Sequence, residues 1–171
     1  STFINFNIDD PKPIIAANAV ISIIEDHDGT IWLGTYNGGL TAYKGKNDVT
    51  IYRHKHNDST SLVWDKIKSI CEYNNEIWVA TYGMGISVFN KKTKTFKQYK
   101  NIPGYSNFIP TSWVNKLFTD SQGILWLGTY DGIYKYIAKT NTFQLCIFET
   151  TVNTDKNHVF DIFEDNRGDF W

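Results

Sequence analysis

From Val20 onward, apolar segments of three to seven residues alternate with polar stretches rich in Gly, Asn and Asp, and the same order keeps returning. One segment reads IWLGT from Ile31 to Thr35, IWVAT from Ile77 to Thr81 and LWLGT from Leu125 to Thr129, and GDF before Trp171 begins another. Trp32, Trp78, Trp126 and Trp171 are spaced 46, 48 and 45 residues apart. Upstream of each lies a second segment: VISIIED from Val20, IKSICEY from Ile67, VNKLFTD from Val114 and VFDIFED from Val159. Downstream, a third segment ends at Tyr43, Phe89 and Tyr136, and a fourth at Tyr52, Tyr99 and Leu145. These segments are rich in Ile, Val, Phe, Tyr, Trp and Thr and sustain no 3.6-residue period, so they predict strands. DHDG (Asp26 to Gly29), DSQG (Asp120 to Gly123) and DNRG (Asp165 to Gly168) put Asp first and Gly where a tight hairpin needs positive φ. The second unit is one residue shorter there, with Asn75 near the glycine position.

Four strands per repeat of about 46 residues predict an all-β fold, a β-propeller fragment of four-stranded antiparallel blades. Residues 1–171 form one propeller segment. Full blades are expected at 20–52, 67–99 and 114–146, with first strands at 20–25, 67–72, 114–119 and 159–164. Residues 1–6, with Phe3-Ile4-Asn5-Phe6, match the last strand of a preceding blade, and residues 159–171 the start of a following one. Together these make about half of a propeller of four to eight blades. The ring is therefore expected to be completed by a longer chain, by closure of a small four-bladed ring, or by a homodimer that brings Phe3–Phe6 of one copy near Val159 of another.

The Val20–Tyr43 string, with its ED-x-x-G-x-IWLGT-x-x-GGL core, resembles the two-component regulator propeller repeat, and the likeness recurs in every unit. It extends to NDSTSLVWDKI (Asn57 to Ile67), whose Ser-Leu pair looks like that family's lead-in. The resemblance implies the periplasmic sensor part of a membrane-anchored hybrid two-component histidine kinase. It also implies oligosaccharide or another small molecule as ligand, and the rest of the kinase chain as partner. Nothing in the chain matches the kinase itself.

Composition narrows the classes further. A chain of 171 residues can bury roughly 70% of its unfolded surface. With 42% hydrophobic, 16% aromatic and 20% charged residues it reads as a strand-rich globular segment rather than a disordered one. Seventeen basic and eighteen acidic residues, spread evenly, leave no basic stripe for nucleic acid. No run of about 18 apolar residues is present, and the start, STFINFNIDD, lacks the pattern of a secretion signal. Cys71 and Cys146 have neither CxxC nor zinc spacing.

Candidate chemistry is sparse, and no catalysis or cofactor is expected. Gly38-Gly39 lacks both phosphate-loop motifs and reads as the lead into a third strand. Asp26-x-Asp28-Gly29 opens like a calcium loop but lacks its later ligands. Glu25, Glu72 and Glu164 recur at one blade position, where blade three has Thr119, so a structural role is simpler than the converging carboxylates of glycoside hydrolysis. His54-x-His56 has no evident third metal ligand. Cys71 stands where other units have Ile24, Phe118 and Phe163, a core position. Trp32, Trp78 and Trp126, one per blade in mid-strand, are expected to be buried between blades rather than to stack on sugars.

In a repeat array, positions that vary between units are free to be specific. The least alike loops join the fourth strand of one blade to the first of the next: residues 7–19, 53–66, 100–113 and 147–158. Just before the first strands stand Ala19, Lys66, Trp113 and His158. Trp64, Tyr105 and Phe108 add aromatic surface, and Arg53 and Lys66 add donors suited to an anionic sugar. Tyr36, Tyr82 and Tyr130, each after the Thr of a second strand, are expected on the same face. The simpler reading is that Trp64 and Phe108 plug the blade tops. A surface for protein interaction or dimerisation is the alternative function, and a propeller lyase or glycosidase a third.

Overall fold

The computed structural model describes residues 15, 17, 19–45, 48–146 and 158–171. Every regular element among them is a strand. The first blade holds β1 (Val20–Glu25), β2 (Ile31–Thr35), β3 (Leu40–Gly45) and β4 (Asp48–Tyr52). The second holds β5 (Ile67–Tyr73), β6 (Glu76–Thr81), β7 (Gly85–Asn90) and β8 (Thr95–Tyr99). The third holds β9 (Val114–Thr119), β10 (Leu125–Thr129), β11 (Gly132–Ile137) and β12 (Thr142–Cys146). Each set forms one antiparallel sheet whose spatial order follows the chain. Across blades, β1 packs against β5 and β5 against β9, so the first strands are neighbours in successive blades.

The expected strand at 159–164 is only partly formed. Phe163 and Trp171 exchange two backbone hydrogen bonds around a Glu164–Phe170 bridge, and Val159 N–H donates to the Thr129 carbonyl. Phe3–Phe6 and its suggested pairing lie outside the described residues.

The hairpins that open the blades follow from their turn residues. In DHDG the Asp26 carboxylate accepts the amides of Asp28 and Thr30 at 3.0 and 2.9 Å, and Gly29 takes φ 76°. The other Asp26 oxygen accepts the Trp32 indole N–H at 2.8 Å. Asp120 repeats the arrangement with Gln122, Ile124 and the Trp126 indole. Blade two has only a two-residue Asn74-Asn75 turn, with φ 50° and 62°, the positive pair of a type I′ hairpin. That turn has no acid, and the buried Trp78 indole N–H finds no acceptor among the described residues.

Burial is organised between blades. Trp32, Leu40 and Ala42 of blade one meet Ile67, Ile70, Ile77, Val79, Phe89 and Phe96 of blade two. The opposite face of blade two, including Trp78, Ala80, Ile86 and Val88, meets Leu117, Leu125, Leu127 and Tyr134 of blade three. A Cβ on Gly34 would lie 2.5 Å from Ile67 Cγ2, and one on Gly128 2.8 Å from Val159 Cγ1, so the glycines of the IWLGT and LWLGT strands admit the next blade's innermost strand. Polar ties run alongside. Ile70 N–H donates to Ser22 Oγ at 3.1 Å and Leu117 N–H to Ser69 Oγ at 3.0 Å.

The recurrent first-strand acids latch the neighbouring turn. Glu72 accepts the His27 amide at 2.9 Å, and Glu164 accepts the Ser121 amide and hydroxyl at 2.7 Å each. Thr119, the exception, donates to the Glu72 carbonyl at 2.9 Å. Lys91 of blade two reaches into the first turn, 2.7 Å from both Asp26 and Glu72 and 3.0 Å from Asp28. Burial works to raise the Asp26 carboxyl, but the Lys91 ammonium, the Trp32 indole and the Thr30 amide outweigh it and hold it at about 2, against an ordinary 3.8. Burial likewise opposes the charge on Lys91, and the three carboxylates raise it.

Trp32 and Trp78 are 3% and 2% exposed, as between-blade packing requires. Trp126 departs from the expectation: it is only half-buried, because its outward face meets Phe170 at 5.5 Å and little else of a following blade.

Two outcomes follow from these contacts. Trp32→Ala and Trp78→Ala should each cost about 3–5 kcal/mol in chemical denaturation, and Trp126→Ala clearly less; equal costs would contradict the packing described. Because Asp26 titrates below its unfolded value, its contribution is complete above about pH 4 and is lost as pH falls through about 2. That contribution is about 2 kcal/mol. Denaturation between pH 5 and 2 should show a loss of this size that Asp26→Asn abolishes; an unchanged acid limb would refute it.

Candidate functional site

The turn between the second and third strands of each blade is held by a fully buried threonine. Thr35, Thr81 and Thr129 donate through Oγ1 to the carbonyls of Gly39, Gly85 and Gly132 at 3.1, 2.9 and 2.8 Å. The next residue, a tyrosine in each blade, is thereby fixed beside the loop entering the first strand. Tyr36, Tyr82 and Tyr130 donate their amides to the carbonyls of Ala19, Lys66 and Trp113 at 2.9, 2.9 and 3.3 Å. These backbone pairs are local to each blade, and packing of the blades sets their side chains in a row.

The row is continuous. Ring centroids are 6.3 Å apart from Tyr36 to Tyr82, 5.4 Å from Tyr82 to Trp113 and 5.6 Å from Trp113 to Tyr130. His158 extends it at 4.8 Å from Tyr130. Each contact is edge-to-face, the geometry that aromatic quadrupoles favour. Tyr36, Tyr82 and Trp113 remain 41%, 42% and 46% exposed, so the rings are not consumed by packing. Lys66 Nζ stands 5.0 Å from the Tyr36 centroid, and Lys68 Nζ 5.6 Å from that of Tyr82. The arrangement can stack flat ligand faces and offer ammonium donors along one edge.

Six of the nine residues singled out from the sequence thus meet in one arc: Tyr36, Tyr82, Tyr130, Lys66, Trp113 and His158. The other three are engaged with other partners. Arg53 donates to the Asn37 carbonyl at 2.7 Å and pairs with Asp65 at 3.3 Å, so its charge braces the loop rather than waiting for a ligand. Trp64 packs against His54 at 5.9 Å, and Tyr105 lies under Lys100 Nζ at 5.8 Å. Phe108 is exposed, next to a Lys100–Phe108 bridge.

Lys68 was missed by the sequence reading. It occupies the bulge of β5, where the register jumps between Ile67 and Ser69, and a bulge re-aims its side chain. Asn115 holds the same position in β9 and Ile21 in β1, a variable position inside an otherwise repetitive strand. That variability was the available signal.

Other candidate chemistry resolves into structure. Asp26, Asp120, Glu72 and Glu164 are all engaged in turns and latches. Burial pushes the Cys71 thiol up to about 12, too high for a thiolate nucleophile. His54 Nδ1 lies 2.9 Å from the Leu62 carbonyl, and no cluster of three metal-ligating side chains occurs among the described residues.

Of two concavities, the first adjoins the His158 end of the arc and the second lies away from it. A slot of about 490 Å3 is walled by apolar residues including Trp126, Ile133, Val159 and Phe170. It occupies the blade-to-blade packing plane. A groove of about 670 Å3 between blades one and two is lined by Thr50, Tyr52, Asp26 and Lys91. At the next interface Lys97, Tyr136 and Tyr99 converge on Asn141.

Comparison with known proteins places this geometry. Residues 15–37 and 109–131 match the two-component regulator propeller family. Histidine kinase P4 of Formosa agariphila is 35% identical over 174 positions, taking in all of this chain and 13% of that protein. The extracellular domain of a hybrid two-component system from B. thetaiotaomicron superposes over 96% of this chain and 22% of its own, with TM-score 0.76 and 20% identity. The extracellular domain of a one-component system from the same organism gives TM-score 0.65 and 26% identity over 90% of this chain and 20% of its own. The chain therefore spans between 13% and 22% of these longer relatives. Virginiamycin B lyase from Staphylococcus aureus shares the fold alone, at 12% identity and TM-score 0.52. Two segments of the chain thus match the two-component regulator propeller repeat, and the motif they carry recurs from blade to blade.

Proposed function

We propose that this segment is part of the extracytoplasmic, periplasmic sensor of a two-component histidine kinase and binds an oligosaccharide along the Tyr36–His158 arc. The unbroken row of rings across three blades, with Tyr36, Tyr82 and Trp113 exposed, is the observation that carries this reading. Sugar rings present apolar faces to aromatic side chains and hydroxyls to their polar edges, which Lys66 and Lys68 flank. Similarity to a histidine kinase and to extracellular domains supports the cellular setting. The acids of the repeat serve turns and latches, so the segment is assigned recognition rather than glycoside cleavage or lysis. A ligand lying along the arc would touch blades one, two and three together and pass its binding energy to the remainder of the sensor through their packed interfaces.

Titration calorimetry of the intact protein with an oligosaccharide panel tests the reading. Trp113→Ala, at an exposed ring, should weaken binding about tenfold or more with an unchanged melting temperature. Flat titrations across the panel, or Trp113→Ala binding as tightly as the parent, would favour a protein-docking surface instead.

A further inference from the structure

The charges around the arc do not balance locally. Asp65 is engaged by Arg53 and also accepts the His54 amide at 2.7 Å. Asp161 is engaged by Lys116 at 2.5 Å. Lys66 and Lys68 make no ion pair among the described residues; each has only a ring beneath its ammonium. The tyrosines below them, Tyr36 and Tyr82, adjoin each other in the arc, so both free cations flank one stretch of it. Asp131, in the turn after Tyr130, belongs to the third blade, beyond that stretch. Their half-buried stems also limit how far the ammonium groups can withdraw into water.

On this basis, and resting on the oligosaccharide reading above, we infer that the ligand is an anionic oligosaccharide. Its carboxylate or sulfate groups are taken by Lys66 and Lys68 while its rings stack on Tyr36, Tyr82 and Trp113. A cation over an exposed ring is held weakly, whereas an anion brought to the same ammonium forms charge-assisted hydrogen bonds. The stacking row alone would accept neutral sugars, so the two lysines supply the selectivity. Lysine suits this task as a compact, rotatable donor that does not demand one bidentate geometry, and it can serve sugar acids of either kind.

The test compares three tetrasaccharides on the intact protein by calorimetry: tetragalacturonic acid, a sulfated galactan tetrasaccharide and neutral galactotetraose. The acidic sugars should bind more tightly than the neutral one, with affinity falling as salt rises. Lys66→Gln with Lys68→Gln should reduce acidic-sugar affinity about ten- to a hundredfold, against a loss of about threefold or less for galactotetraose. Lys66→Arg with Lys68→Arg should restore much of the loss. Preference for tetragalacturonic acid or for the sulfated sugar identifies the anion. If galactotetraose binds as tightly as both acids, the anionic assignment fails while the aromatic arc stands. If none of the three binds but other neutral sugars do, it fails likewise, and if no sugar binds at all, the oligosaccharide reading fails with it.

Discussion

A four-stranded sheet has two faces, and nothing within a single blade covers either of them. Each blade here is stable only against its neighbours, and this requirement shapes the composition of the strands. In β6, Ile77 and Val79 face blade one while Trp78 and Ala80 face blade three, so the strand is apolar throughout rather than alternating with polar residues. Each fully buried side chain of this kind contributes roughly 1.5–3 kcal/mol. The outermost strands β4 and β12 face solvent more and carry exposed residues at most positions. The small residue before each threonine, Gly34, Ala80 or Gly128, belongs to the same requirement, since the neighbouring innermost strand occupies the space a larger side chain would need.

Polar groups then set the register of blades that apolar contact alone would allow to slide. The Asp26 carboxylate organises its own turn, anchors the tryptophan of the next strand and receives Lys91 from the adjacent blade. The Glu72 and Glu164 latches act in the same sense, each from a following blade to a preceding turn. Blade two departs from this scheme because its two-residue hairpin has no place for the acid. Its Trp78 indole N–H goes without an acceptor among the described residues, a loss of about 1–3 kcal/mol. The Trp78 ring is stacked on Tyr99 at 5.4 Å and tilted against Tyr136 at 4.8 Å, contacts that offset part of this.

The arc inherits its order from that scaffold. Buried threonines hold the turns, the turns place the tyrosines, and blade packing brings tyrosines of separate sheets within ring contact. A face made this way needs no mobile loop to assemble it. Its variation from blade to blade resides in the positions that the scaffold leaves free, namely the residue before each first strand and the bulge residue inside it.

The repeat period, the strands and the hairpin turns were legible in the sequence because each depends on local chemistry: side-chain alternation, and Asn or Gly where φ must be positive. The tyrosines and Lys66, Trp113 and His158 were legible too, since they hold repeated or conspicuously varied positions next to those elements. Tertiary structure alone decided which charges are available. Arg53 is drawn to Asp65 twelve residues away, and Lys68 is turned to the arc by a bulge whose residue varies between blades but whose direction the sequence does not give. It likewise decided that Trp126 keeps an exposed side while Trp32 and Trp78, in the same motif, do not. Backbone preference acts between neighbours in sequence, whereas burial and ion pairing depend on what another blade brings within a few ångströms.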